Sequence, residues 1–259
     1  MWRINAERLV VLGWTRAILL QFAHPLVAAG VHDHSGFRQS PVAAVLRLRH
    51  TVRAMLALTF GSDTDRDRTV AAIRNIHRRV NGTLVSATGP FAAGTRYSAE
   101  DPALLLWVHL TLLESIVLVY ELLVAPLTER ERDAYCEASA PVAIALGAVD
   151  AEVPRTWQAL RAALDRTIAS GVIVVSPEAT ALARAVVRPR GAAITGPIMR
   201  INEVLAVGLL PDRFRQQYGF RWNRHRGRLF RAIVRGIRLV RRIVPDALAL
   251  WRDARADSR

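Results

Sequence analysis

A run of 24 residues, Leu104 to Leu127 (LLLWVHLTLLESIVLVYELLVAPL), constrains the fold of this chain more than any other feature. It is long enough to cross a bilayer if its interior is uniformly apolar. His109, Glu114 and Glu121 interrupt it, and each is costly in lipid unless paired inside a bundle. A helix apolar on all sides with a few polar groups fits the centre of a soluble helical core, where neighbours cover every face. A chain of 259 residues, 51% hydrophobic and 22% charged, has enough apolar material for such a core and is too hydrophobic to be disordered.

The punctuation around this run is that of helices. Ser40-Pro41 and Ser176-Pro177 each place a capping hydroxyl before a proline at the first helical position, and Thr128 to Glu131 reads as a capping box. Together with apolar periodicity they predict helices near residues 6–23, 41–60, 65–81, 102–124, 129–146, 154–170, 177–187, 197–209 and 222–243. The β-branched run Gly171 to Ser176 has no second strand to pair with and is expected to be an extended buried linker. Asn81 to Tyr97, with Gly82, Gly89, Pro90 and Gly94, is expected to be a surface loop suited to a lid. No repeat and no linker divides the chain. The expected fold is all-α, a single domain over 1–259 of about nine helices around a buried central helix.

Composition removes several chemistries. The single cysteine, Cys136, excludes an internal disulfide framework and any cysteine-based zinc cluster. All 36 basic residues are arginine, so no Schiff base and no P-loop lysine is possible. No H-E-x-x-H, E-x-x-H, G-x-S-x-G or G-x-G-x-x-G occurs. The N-terminus holds an acidic residue and arginines within its apolar stretch and reads poorly as a signal peptide, so a cytoplasmic location is expected.

The net charge of +14 is concentrated at the C-terminus: residues 212–259 hold fourteen Arg against four Asp. Within them Leu229, Phe230, Ile233, Val234, Ile237, Val240 and Val244 form an apolar stripe. Arg224, Arg228, Arg231, Arg235, Arg238 and Arg242 line another face at helical spacing. A terminal helix docked on the body with a solvated cationic face accounts for this. So does peripheral contact with an anionic membrane, at its inner face, or with an acidic partner. No nucleic acid partner is expected, since there is no reading motif and no aromatic interleaving.

Seven histidines remain as candidate ligands. In TVAAIRNIHRRVNG, Val70, Ile73, His77 and Val80 share one helical face, so His77 points toward the core. It is either a satisfied core histidine or the axial ligand of a haem iron, with Arg74 on nearly the same side facing a propionate. Arg47 and Thr51, four residues apart, place a guanidinium beside a hydroxyl. They are either surface residues or a pair that orients a polar ligand or a developing anion. His24 precedes Pro25 and is expected to cap backbone groups where a helix breaks. His32-Asp33-His34 could bind a metal, though alternate positions on a short turn converge poorly without a third ligand from elsewhere in the chain. His109 is expected to be a core residue hydrogen-bonded to Glu114 or Glu121, or a residue supporting a cofactor.

The order of LLQFAHPLVAAGVHDHSGF, RLRHTVRAMLALTFG, AAIRNIHRRVNG, YSAEDPALLLWVHLTLLES, LTERERDAYCE and VGLLPDRFRQQYGFRW resembles the haem-dependent oxygenases that group fungal MpaB-type enzymes with bacterial rubber oxygenases. The resemblance runs from about Leu12 to Trp251. It implies an all-α domain holding haem b, with His77 on the iron and Arg74 beside it. Asn81 stands where rubber oxygenases carry a further arginine. It also implies that Arg47 and Thr51 match the Arg-x-x-x-Thr pair that the family holds beside the haem. The glutamate base of rubber oxygenases has no clear equivalent here; its expected region is the GVHDHSGF turn, where His34 is the candidate substitute at the cofactor. The activity implied is O2 activation for oxidation or cleavage of a hydrophobic, isoprenoid or otherwise unsaturated lipid-like substrate. The alternative is a haem- or lipid-binding carrier without turnover.

Overall fold

The computed structural model describes residues 2–35, 41–188 and 196–256. In chain order the helices are α1 (Trp2–Ala6), α2 (Val11–Phe22), α3 (Pro25–His34), α4 (Pro41–Phe60) and α5 (Asp63–His77). After a pair of short strands, β1 (Asn81–Thr83) and β2 (Arg96–Ser98), come α6 (Pro102–Leu123), α7 (Glu129–Leu146), α8 (Trp157–Ala169), α9 (Pro177–Val187) and α10 (Gly196–Leu209). The chain closes with α11 (Asp212–Gln217), α12 (Arg224–Ile243), α13 (Asp246–Ala249) and α14 (Asp253–Ala256). The fold is all-α, as the sequence predicts.

The apolar run is α6, and it is central. Asp101 starts it by accepting from the Ala103 amide, with Pro102 at the first helical position. Leu104, Trp107, Leu110, Leu113, Ile116, Val117 and Tyr120 are buried on several sides by α2, α7, α8 and α12. By length and composition α6 is able to cross a membrane, but 72% of its apolar window is buried inside the protein. The tightest neighbour is α2. A Cβ on Gly13 would lie 2.6 Å from the Ser115 carbonyl oxygen, so only glycine allows the two backbones this close.

The polar groups of α6 are satisfied differently from the sequence expectation. Glu114 accepts from Arg16 of α2, which also donates to the Ser115 hydroxyl at 2.6 Å and to the Leu209 carbonyl at 2.8 Å. Arg161 of α8 donates to the other Glu114 oxygen at 2.8 Å. Glu121 accepts from Arg132 at 2.6 Å and from the Leu127 amide. His109 therefore bonds to neither glutamate, and its Nε2 is buried without a partner. The reason is helix geometry: five and twelve residues on, the two glutamates point about 140° and about 120° away from His109 around the helix axis, toward Arg16, Arg161 and Arg132 on other neighbours.

All nine expected helices are present among the described residues, with α1, α3, α11, α13 and α14 in addition. Two of the three capping signals act as read: Thr128 and Glu131 form a reciprocal capping box, and Ser176 accepts from the Ala179 amide, while Ser40 lies outside the described residues. Pro25–His34 is a separate helix beyond the break at His24. The Asn81 to Tyr97 segment is closed at its base by β1 and β2, with Asn81 opposite Ser98 and Thr83 opposite Arg96. Gly171 to Ser176 is an extended linker with Ile173 fully buried.

Candidate functional site

His24 and Pro25 set the first wall. Ala23 ends α2, and the His24 Nδ1 accepts from the Leu26 amide at 3.3 Å, the capping role expected of it. Burial lowers the His24 pKa to about 4, against the opposing charge of Asp101, so the ring is neutral at physiological pH. The break turns the chain by 107° and sends α3 toward the strand pair.

At the far end of α3 three elements interlock. Gly30 faces Val80, just beyond α5, and the Tyr97 ring of β2; a Cβ there would sit 3.2 Å from Val80 Cγ1. The buried Tyr97 donates its hydroxyl to Asp33 at 2.6 Å, and Asp33 holds His32 Nδ1 at 3.0 Å. Burial acts to raise the Asp33 pKa, but the Tyr97 hydroxyl, the bond to His32 and the nearby imidazoles outweigh it and hold the carboxyl below its usual range. His34 is exposed, and its Nε2 lies 3.0 Å from the Asn81 carbonyl and 3.5 Å from the Tyr97 hydroxyl. Hydrogen bonding along this edge ties α3 to the strand pair immediately after α5.

That lock fixes the position of His77, one turn before Asn81. Ser62 starts α5 by accepting from the Asp65 amide, with Asp63 and Asp65 in its first turn. Val70, Ile73, His77 and Val80 are the half-buried face, as the periodicity predicts, while Arg74 and Ile76 are exposed. No residue of α5 is fully buried. The Nδ1 of His77 is nonetheless sealed from water and has no hydrogen-bond partner. Burial lowers the His77 pKa, and the Glu100 carboxylate, brought alongside as the chain leaves β2, partly offsets this. The result is a neutral imidazole with an unpaired nitrogen, held on a helix whose apolar side is only half covered.

Of the other predicted site residues, Thr51 lies on the exposed side of α4, which packs against α5. Arg47 is on the same helix, and its side chain lies outside the described residues. Arg74 is exposed one turn before His77. The structure thus gathers His34, Arg74 and His77 toward the end of α5. Among the described residues no three His, Cys, Asp or Glu side chains converge to hold a metal ion. Sequence reasoning missed Tyr97 and Glu100. Tyr97 stands two residues before Ala99 in a segment read as loop, and nothing in its spacing marks it as buried.

A family model described as ER-bound oxygenase mpaB/B'/Rubber oxygenase, catalytic domain, matches residues 2–239. No curated protein and no solved structure matches the chain.

Proposed function

This chain belongs to the mpaB/rubber oxygenase catalytic-domain family, and on that premise we propose that it is a haem b-dependent oxygenase acting on a hydrophobic, unsaturated lipid-like substrate. The observation that carries the reading is His77: a neutral ring with a desolvated, unpartnered nitrogen, inside the matched segment. A buried polar atom with no partner costs about 1–3 kcal/mol, which a bound group that takes up the lone pair repays.

One observation supports a haem, the buried His77 Nδ1 that has no partner. No cluster of side chains among the described residues offers three metal donors. A lone imidazole is a sufficient protein donor only when a macrocycle supplies the other ligands. His77 would hold the iron. Arg74, exposed one turn earlier on α5, would meet a propionate. Haem, when bound, supplies the activation of O2.

The chain's own residues have the remaining tasks. Arg47 and Thr51 would present a guanidinium and a hydroxyl from α4 to charge that develops on the reacting atoms. Glu100 would tune the basicity of the His77 ring. His34 would act indirectly, by holding the Asn81 carbonyl and so the end of α5.

The test is the absorption spectrum of the full chain produced with ample haem precursor, followed by O2 uptake with an unsaturated isoprenoid lipid. The expected result is a Soret band, lost or shifted in His77→Ala, and O2 consumption that depends on the lipid. Absence of a Soret band overturns the haem assignment. Tight haem binding without O2 consumption makes the protein a carrier and overturns the catalytic part.

A further inference from the structure

The α12 helix has three faces. Phe230, Ile233, Val234 and Ile237 form the first, packed on Val119 and Leu123 of α6 and Leu205 and Leu209 of α10. Folding is served by this face alone. The second, beside it, is the row Arg224, Arg228, Arg231, Arg235, Arg238 and Arg242, all exposed. The two α12 arginines outside the row are paired, Arg226 with Glu203 and Arg241 with Glu7 and Asp246. None of the six in the row has an acidic partner among the described residues.

The third face, between the packed face and the arginine row, is apolar and exposed. Leu229, Ala232, Gly236, Leu239, Val240 and Ile243 follow one another at helical spacing along it, flanked by the arginine row. Leu239 is 61% exposed, Val240 57% and Ile243 75%. A solvated terminal helix has no need of such a strip. Its exposure costs free energy in water, and the adjacent unpaired guanidinium groups state the charge of whatever covers it.

We propose that this surface docks on an anionic lipid bilayer, with Leu239, Val240 and Ile243 entering the headgroup boundary and the arginine row meeting lipid phosphates. An apolar strip edged by arginine on an exposed helix is the pattern of a helix lying in a membrane interface. A second copy of the chain fits poorly, because a shared face brings two unpaired arginine rows together. Nucleic acid uses the row but leaves the strip in water. A protein partner of opposite charge is disfavoured by the strip itself, which has no aromatic anchor and no pocket of the kind that concentrates binding energy in protein interfaces. The surface involves neither His77 nor a cofactor, so it can be tested without turnover.

The experiment is vesicle flotation of the full chain. It uses phosphatidylcholine alone and phosphatidylcholine with about a third phosphatidylserine, at low salt and at about 1 M salt, where screening reaches about 3 Å. Two exposed-surface variants, Arg231→Gln/Arg235→Gln/Arg238→Gln/Arg242→Gln and Leu239→Ser/Ile243→Ser, are checked for folding by circular dichroism. The wild type is expected to float with anionic vesicles only and to be released by salt. Each variant is expected to lose at least about tenfold in partitioning while its helix content and melting are retained. Flotation indifferent to lipid charge overturns the proposal, as does an undiminished arginine variant or failure to float at all. A dimer by light scattering that Leu239→Ser/Ile243→Ser converts to monomer, without any flotation, assigns the strip to self-association and overturns it too.

Discussion

Arg16 on α2 donates to Glu114 on α6 inside the protein, where both side chains are less than a tenth exposed. The pair sits where the two most closely packed helices cross, beside the Gly13–Ser115 contact that brings their backbones together. Its remaining capacity is filled by the Ser115 hydroxyl, the Leu209 carbonyl and Arg161. The charges inside the apolar run are therefore a junction of α2, α6, α8 and the end of α10.

Removing one partner of this junction is expected to cost more than replacing both. Glu114→Ala leaves Arg16 buried and unpaired and is expected to destabilise by about 3–5 kcal/mol in urea unfolding. Arg16→Met/Glu114→Leu is expected to recover most of that loss, because no buried charge remains. A double variant as unstable as the single one would show that shape, not charge, governs the site.

Acid is expected to weaken the fold over a defined window. Burial lowers the pKa of His24 and of His109 from 6.5 to about 4. Above pH 6.5 both states are neutral at these rings and stability is complete. As pH falls from 6.5 toward 4 the unfolded chain takes up protons that the folded chain refuses, and up to about 3 kcal/mol per ring is lost. Urea midpoints between pH 7.5 and pH 4.5 measure this. His109→Leu is expected to flatten the profile and, since Nε2 has no partner, to change stability at neutral pH by no more than about 1 kcal/mol.

The charge of the Glu100 carboxylate raises the His77 pKa against the effect of burial. Glu100→Gln is expected to lower the His77 pKa further, which an NMR titration of the ring resonances reads directly. An unchanged titration would mean that Glu100 does not approach the ring in solution.

Gly82 is expected to be intolerant of any side chain. A Cβ there would stand 2.5 Å from the Tyr97 hydroxyl, the donor to Asp33. Gly82→Ala should displace the phenol, raise the Asp33 pKa toward 3.8, and speed amide exchange in β1 and β2. Tyr97→Phe should reproduce the Asp33 effect while leaving the strands paired.

Much of the secondary structure was legible because its signals are local. Thr128 with Glu131 and Ser176 with Pro177 each act within one turn, and each starts a helix at the position read from the sequence. The His77 face was legible for the same reason: periodicity places Val70, Ile73, His77 and Val80 on one side whatever lies opposite. The β1–β2 pair was not, since three residues a side carry too little pattern and their pairing spans the whole segment between them. Nor were the partners of Glu114 and His109. Arg16 is nearly a hundred positions from Glu114, and a sequence does not say which of many arginines reaches a given carboxylate.

The sequence alone determined that this is a helical protein built around one apolar helix, with an imidazole turned inward on α5 and a cationic, amphipathic helix near its end. Periodicity and capping depend on neighbours a few residues away, so the linear order already contains them. The tertiary structure decided which buried groups are paired and which are left open. It gave Glu114 to Arg16 and left His109 without a bond. It set Tyr97 and Glu100 about the end of α5, and it turned the strip Leu239–Val240–Ile243 outward instead of into the core. Those outcomes depend on distances between segments remote in the chain, which only close packing fixes.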